Sequence, residues 1–241
     1  MMTSMAAPDR PASRTARAIA RDQLTAMILA AARSQLAVDG PAALSVRAVA
    51  REVGMVSSAV YRYFPSRDAL LTELLVSCYD ELGTVVETAE ASVTDRSDYV
   101  GRWLGIASAF RTWAVDHPHD YALVYGSPVP GYVAPRRTVG PATRVSTLIV
   151  DLVRQQHEEG RSLPVTEASA ELHASLAGVR EFAGVDLPDD AVLLGLHAWS
   201  GLIGEVTLEL FGHLVGAVTD HDVYFAGAAR RLAPVIPPGS P

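Results

Sequence analysis

Apolar residues recur at helical spacing along almost the whole chain. Leu24, Ile28, Ala32 and Leu36 form an i+4 row flanked by Met27 and Ala31, which predicts a first helix over residues 22–38, ended by Gly40-Pro41. Val46, Val49, Ala50 and Val53 fall at i, i+3, i+4 and i+7, so a short second helix buries that face and turns Arg47 and Arg51 outward. Gly54 stops it, and Ser57 is placed to cap a third helix. There Val60, Tyr63 and Phe64 point inward, while Ser57, Ser58, Tyr61 and Arg62 point outward. Pro65 ends this helix, and Ser66 caps a long fourth one carrying Leu71, Leu74, Leu75, Cys78 and Leu82.

The remainder reads as helix too, with no alternating β-branched run. One helix is predicted over 98–116, with Tyr99, Trp103, Ile106, Phe110 and Trp113 on one face. A loop rich in proline and glycine follows at 126–135, then helices over 139–159, 165–183, 188–214 and 220–232. The expected fold class is therefore all-α. Residues 1–20, with Pro8, Pro11 and scattered arginines, read as a mobile arm, and the Pro- and Gly-rich 237–241 as a tail. Between them, 21–67 form a small three-helix head and 68–236 a larger body.

Composition narrows the class. At 241 residues, 49% hydrophobic and 20% charged, the chain can bury a substantial core. Its net charge of −7 is unevenly distributed. Residues 1–67 set nine arginines against Asp9, Asp22, Asp39 and Glu52, whereas 68–241 set eleven arginines against 23 acids. A basic head on an acidic body points to a polyanion met by the head alone. The basic residues are all arginine, as coding bias would produce. Cys78 is the single cysteine, so neither a disulfide framework nor a multi-cysteine zinc site is expected, and its apolar position suggests an inert thiol. No signal peptide is visible, and the most apolar stretch, 191–204, is interrupted by His197 and Ser200 and shorter than a membrane span. A soluble cytoplasmic protein is expected.

The informative segment is Ser45–Pro65, SVRAVAREVGMVSSAVYRYFP. Ala50 sits where two short helices cross, Gly54 suits the positive φ of a tight turn, and Val60 closes a triangle with Val49 and Val53. Ala, Gly and Val in this spacing form the helix-turn-helix pattern, whose second helix enters the major groove. Val38-Asp39-Gly40, Leu44-Ser45-Val46-Arg47-Ala48-Val49-Ala50, Gly54 and Val60-Tyr61-Arg62-Tyr63-Phe64-Pro65-Ser66-Arg67-Asp68-Ala69-Leu70 together resemble the DNA-binding head of the TetR family, over 22–75 without insertion. The body resembles TetR members with a WHG-type ligand domain. It does so through His117-Pro118-His119-Asp120-Tyr121, the loop GSPVPGYVAP and Leu208-Glu209-Leu210-Phe211-Gly212-His213, with Ile203-Gly204 where that type often shows His-Gly.

The resemblance implies site residues. Arg47 would reach a base edge, as arginine suits guanine. Ser57, Ser58 and Arg62 would lie at the start of the recognition helix. Tyr61 would bind a phosphate, Tyr63 would reach the adjacent strand, and Arg67 would add charge at a helix start facing phosphate. Arg51 is either a further contact or a solvated charge, and the arm either follows the minor groove or has no role. In the body, the resemblance implies a pocket for a small, largely apolar effector. Trp103, Phe110, Trp113, Tyr121 and Tyr125 are its candidate lining, although aromatic stripes at helical spacing are also ordinary core. Gly201, Gly204, Leu208 and Phe211 share one face and predict a homodimer seam. With the preceding helix this would make a four-helix bundle, placing two heads on half-sites about 34–36 Å apart or a multiple of it.

Other chemistry is weakly supported. Asp116, His117, His119 and Asp120 crowd together, yet the Pro118 break reads as a helix terminus, and neither metal nor cofactor is expected. Ala198-Trp199-Ser200-Gly201 lacks the first glycine of a nucleophile elbow, and no GxGxxG, Walker or HExxH motif is present. A helical protein adaptor would explain the acidic body but not the basic head. The sequence thus points to a bacterial, nucleoid-associated transcriptional regulator, a dimeric repressor released from double-stranded operator DNA by its ligand. The alternative is a helical adaptor, or an activator with the same head but a different input.

Overall fold

A computed structural model describes residues 15–161, 169–184 and 187–236. The described residues are helical with no strand: α1 (Ala16–Asp39), α2 (Val46–Glu52), α3 (Ser57–Val60), α4 (Arg67–Ala91), α5 (Tyr99–Asp116), α6 (Pro118–Tyr125), α7 (Val139–Glu158), α8 (Ala170–Ser175), α9 (Ala177–Ala183), α10 (Asp189–Leu210) and α11 (His221–Arg231). The chain divides into two units within α4, between Leu74 and Leu75.

In the head, α1 packs on α2 and α2 on α3 around Ile28, Ala32, Val49 and Val60, none of which exceeds 1% exposure. α1 starts six residues earlier than periodicity predicts. Thr15 caps it, its hydroxyl accepting from the Ala18 N–H at 3.3 Å. Residues 16–20 are therefore helix and not arm. Their side chains are largely exposed, so they carry no buried stripe that a hydrophobic pattern could reveal. The arm expectation for 1–14 and the tail at 237–241 lie outside the described residues.

In the body, α10 packs along α7, α5 and α11, and α5 also meets α6 and α7. α5 begins where expected because the Asp98 carboxylate accepts from the Gly101 N–H at 2.8 Å. The helix predicted over 165–183 is two helices where it is described, broken at the buried Leu176; 165–168 lie outside the described residues. α6 was missed by the hydrophobic pattern. Pro118 opens it at a position whose N–H would be unpaired in any helix. α10 stops at Leu210, four residues short of the prediction. Gly212 there takes φ +77°, while the His213 N–H reaches Leu208 O at 2.9 Å and the Gly212 N–H reaches Glu209 O at 3.2 Å. That pair of bonds closes the helix end, and the left-handed conformation suits glycine.

Arginine side chains tie the body helices together. Arg111 grips Glu209 with two bonds of 2.7 Å and reaches Asp222 at 2.8 Å, joining α5, α10 and α11. Arg144 on α7 grips Glu87 on α4 in the same forked manner, at 2.7 and 2.6 Å. Arg102, only 2% exposed, donates to Glu90 at 2.6 Å, to the Gln155 side chain at 2.8 Å and to Arg96 O at 3.0 Å. Burial would raise the Glu90 carboxyl, but hydrogen bonds from Arg102 and Arg96 hold it below the usual 4.5.

Candidate nucleic-acid interface and effector cavity

The turn between α2 and α3 is built as the spacing requires. Gly54 has φ +68°, the Met55 N–H reaches Ala50 O at 2.8 Å, and the Gly54 N–H reaches Arg51 O at 3.2 Å. A side chain at Gly54 would have open space but a strained backbone. α3 spans four residues and continues as a turn, with Tyr63 and Phe64 N–H groups both bonded to Val60 O. Val56, not Ser57, caps it, and no side chain takes that capping bond, which corrects the expected role of Ser57. Arg47, Arg51, Ser58, Tyr61 and Arg62 are exposed, while Ser57 is half-buried. Val60 and Phe64 are buried beneath them. Tyr63 is half-buried, with the Arg21 guanidinium 5.4 Å from its ring centre.

Two side chains that reach the connector before α2 shape this surface. Gln35 on α1 accepts from the Ser45 N–H at 3.0 Å and donates to Ala43 O at 3.2 Å. Arg67 donates to Pro41 O at 2.9 Å, Leu44 O at 3.1 Å and Ala42 O at 3.3 Å, and lies 3.5 Å from Asp68. Periodicity could not find Gln35, because its work is a hydrogen bond between residues ten apart that carry no hydrophobic signal. Arg67 was legible as a charge near a helix start, but its guanidinium is turned onto the connector's carbonyls.

The body's aromatic residues pack as core. Trp103, Phe110 and Tyr121 have no exposure and Trp113 only 3%. Trp103 donates to Ala229 O at 2.7 Å, and the Tyr121 hydroxyl meets Thr207 at 2.7 Å and Ile203 O at 3.1 Å. Phe110 lies 5.5 Å from Tyr125 and 6.0 Å from Trp199, ring centre to ring centre. The Tyr125 hydroxyl has no hydrogen-bond partner among the described residues. Burial, with Tyr79 and Tyr121 nearby, pushes it well above the usual tyrosine range.

A cavity of about 270 Å³ lies elsewhere, among α7, α9 and α10, with Ile149, Val153, Phe182, Ala191, Gly195 and Trp199 in its wall. None of Trp103, Phe110, Trp113, Tyr121 or Tyr125 lines it. The wall of this cavity is thus formed by residues other than the five aromatics expected from the sequence, which pack against one another in the adjoining core. Trp199, which the sequence pattern did not single out, connects the two regions, with one side on the cavity and its ring 5.9 Å from that of Tyr125.

The predicted seam on α10 divides. A side chain at Gly201 would collide with Leu232 of the same chain, so this glycine serves an internal contact with the α11 end and leaves the seam. Gly204 has nothing within 4 Å of a Cβ position, and Leu208 and Phe211 are 40% and 44% exposed. With Leu193, His197 and Ser200 they continue one stripe along the helix. α10 is apolar enough to reach a mean hydropathy of 1.4, yet only 28% of that window is buried. Its length and composition alone would pass for a membrane span, while its place in this helical body makes it an apolar surface lacking cover within one protomer.

Comparison with known proteins agrees with the two-unit division. Residues 28–74 match the family model for bacterial regulatory proteins of the tetR family, and residues 103–232 the tetracyclin repressor-like C-terminal domain. The HTH-type transcriptional regulators Mb1846 of Mycobacterium bovis and Rv1816 of Mycobacterium tuberculosis are each 42% identical over 223 residues, covering 90% of this chain and 94% of theirs. The crystal structure of SCO4313 superposes with a TM-score of 0.75 at 34% identity, covering 90% of this chain and 98% of that one. A Rhodococcus sp. RHA1 protein of unknown function follows at 0.64 and 26%, covering 87% and 92%. With both family segments present in order and relatives alike over nearly their full length, this chain belongs to the TetR family of transcriptional regulators, and is not an enzyme.

Proposed function

We propose that this regulator acts as a homodimeric repressor in the cytoplasm, reading a two-fold operator through its heads and released when a small, largely apolar molecule enters the body. The observation that carries the DNA reading is the exposed row Arg47, Tyr61 and Arg62, held over a buried Val49–Val60–Phe64 floor by the closed Gly54 turn. Arg47 serves as the base-edge contact and Tyr61 as the phosphate contact, with Ser57, Ser58, Arg62 and the Tyr63 hydroxyl completing the surface. The half-site pairing rests on the uncovered α10 stripe, now Gly204, Leu208 and Phe211 without Gly201. Helix α4, whose residues belong to both units, is the element through which the body's state alters the heads. A coupling of about 1–3 kcal/mol, or roughly 5- to 150-fold in operator affinity, is the ordinary size of such effects, provided the ligand favours the non-binding state.

The test is selection of bound DNA from a random pool, followed by titration of variants on the selected site. Arg47→Ala is expected to weaken specific binding by about 1–3 kcal/mol and to relax preference at one base pair, with the melting profile unchanged because the side chain is exposed. Tyr61→Phe is expected to weaken specific and unrelated DNA alike. Wild-type affinity in both variants would refute the interface.

Arg67 separates two readings within the same experiment. A phosphate contact predicts that Arg67→Ala lowers the slope of log affinity against log salt by roughly one unit. Its three bonds to Pro41, Ala42 and Leu44 carbonyls make it instead a positioning residue for α2. The expected result is therefore lower specific affinity, an unchanged salt slope and only partial rescue by Arg67→Lys, since an ammonium lacks the planar fork. A one-unit loss of slope would return Arg67 to the phosphate.

A further inference from the structure

The effector reading leaves the ligand's chemistry open, and the walls of the cavity restrict it. Among the described residues, fourteen positions from α7, α9, α10 and the segment before α10 line the space, and none of these is Asp, Glu, Arg, Lys or His. A charged ligand would meet no opposite charge among these residues, which disfavours it against an apolar wall. The polar side-chain groups of the lining residues are the hydroxyls of Thr143 and Ser146 and the indole N–H of Trp199. Thr143 donates to Val139 O at 2.9 Å and Ser146 to Thr143 O at 3.0 Å. Each hydroxyl has one proton, here engaged on its own helix, so the oxygen is left to accept.

The space itself is made by glycine. Gly178 on α9 has nothing within 4 Å of a Cβ position, and at Gly195 on α10 a Cβ would meet only Val153 Cγ2, at an ordinary 3.8 Å. Glycine weakens a helix interior, and here neither residue has a positive φ or a crowded neighbour to require it. At Gly195, one turn before Trp199 on α10, the missing side chain leaves volume in the wall. The α10 residues facing the cavity, Ala191, Val192, Gly195, Leu196 and Trp199, lie on the opposite side of the helix from the Leu193–His197–Ser200–Gly204–Leu208 stripe. Occupying the cavity and pairing two protomers therefore do not compete for the same face.

We infer that the α7–α9–α10 cavity binds an uncharged, compact apolar molecule that carries a hydrogen-bond donor directed at Thr143 and Ser146. This inference rests on the effector reading for its regulatory meaning. Because an apolar cavity of roughly 150 Å³ takes benzene, one of 270 Å³ matches a ligand about the size of two fused aromatic rings.

The test uses the full-length protein and three probes of similar size: 1-naphthol, naphthalene and 1-naphthoate. In calorimetric titration, 1-naphthol is expected to bind once per protomer, naphthalene at least about fivefold more weakly, and 1-naphthoate at least about a hundredfold more weakly. Gly195→Leu is expected to abolish 1-naphthol binding while operator binding persists. The Thr143→Val, Ser146→Ala double variant keeps the shape and should equalise naphthol and naphthalene, which preserves the test if Gly195→Leu does not fold. Failure of 1-naphthol to bind, equal binding of 1-naphthoate, or wild-type binding by both variants would overturn the assignment. Operator affinity measured in the same samples separates the two levels: binding of 1-naphthol without operator release refutes its role as effector and leaves the cavity assignment intact.

Discussion

Gly204→Trp is expected to sediment as a monomer at micromolar concentration, where the parent sediments as a dimer. Among the described residues nothing stands within 4 Å of the Cβ position, and Gly204 lies in the middle of the uncovered α10 stripe, so the substitution is expected to leave the protomer folded. A bulky ring there obstructs only a second copy packed against the helix. Linking two heads makes the second half-site contact intramolecular, so losing the dimer should lower operator affinity by about 10²- to 10⁴-fold. Gly201→Trp is the contrasting variant: its side chain would strike Leu232 in the same protomer, so it is expected to lower the melting temperature. A Gly204→Trp protein that stayed dimeric would place the seam on another face.

Glu90→Ala is expected to destabilise the body by about 3–5 kcal/mol, because it strands a buried cation. Arg102 would keep its bonds to Gln155 and Arg96 O but lose the carboxylate that neutralises it, and at 2% exposure water cannot replace that partner. Scanning calorimetry should record a fall on the order of 10 °C for a unit of this size. The pH dependence follows from the depressed Glu90 pKa. A carboxylate with a lowered folded pKa contributes stability that is complete above its unfolded value near 4.5 and disappears as pH falls through the lower folded value. Glu90→Gln should therefore narrow its gap to the parent below that window while remaining less stable at neutral pH. Equal stability of parent and Glu90→Gln at pH 7 would show that the pair contributes nothing net.

Helix positions and the turn chemistry of the head depend on neighbours within a few residues, so they are legible in the amino-acid order alone. The Val46–Val49–Ala50 row became the buried face of α2, Gly54 took its positive φ, and Ser66 capped α4 through a 3.0 Å bond from the Ala69 N–H. The same local logic found the exposure of Arg47 and Tyr61, because a helical face not used for packing must face outward. Where no local signal exists, periodicity misleads: exposed residues 16–20 hid the start of α1, and Gly212 inside an apolar run hid the end of α10.

The partner of each side chain was decided only by tertiary structure. Periodicity can place Trp103, Phe110 and Tyr121 on apolar faces, but what those faces pack against depends on helices distant in sequence, as in the Phe110–Tyr121 ring contact and the Trp103 bond to Ala229 O. The cavity arises instead where Gly178 on α9 and Gly195 on α10 meet α7, a juxtaposition without any sequence period. Arg67 and Gly201 show the same division. Their residue types announced a charge near a helix start and a small residue on a helix face, whereas the Pro41–Leu44 carbonyls and the Leu232 side chain that determine their roles lie 23 to 31 positions away. Hydrophobic spacing encodes which side of a helix is buried; three-dimensional packing alone determines what it is buried against.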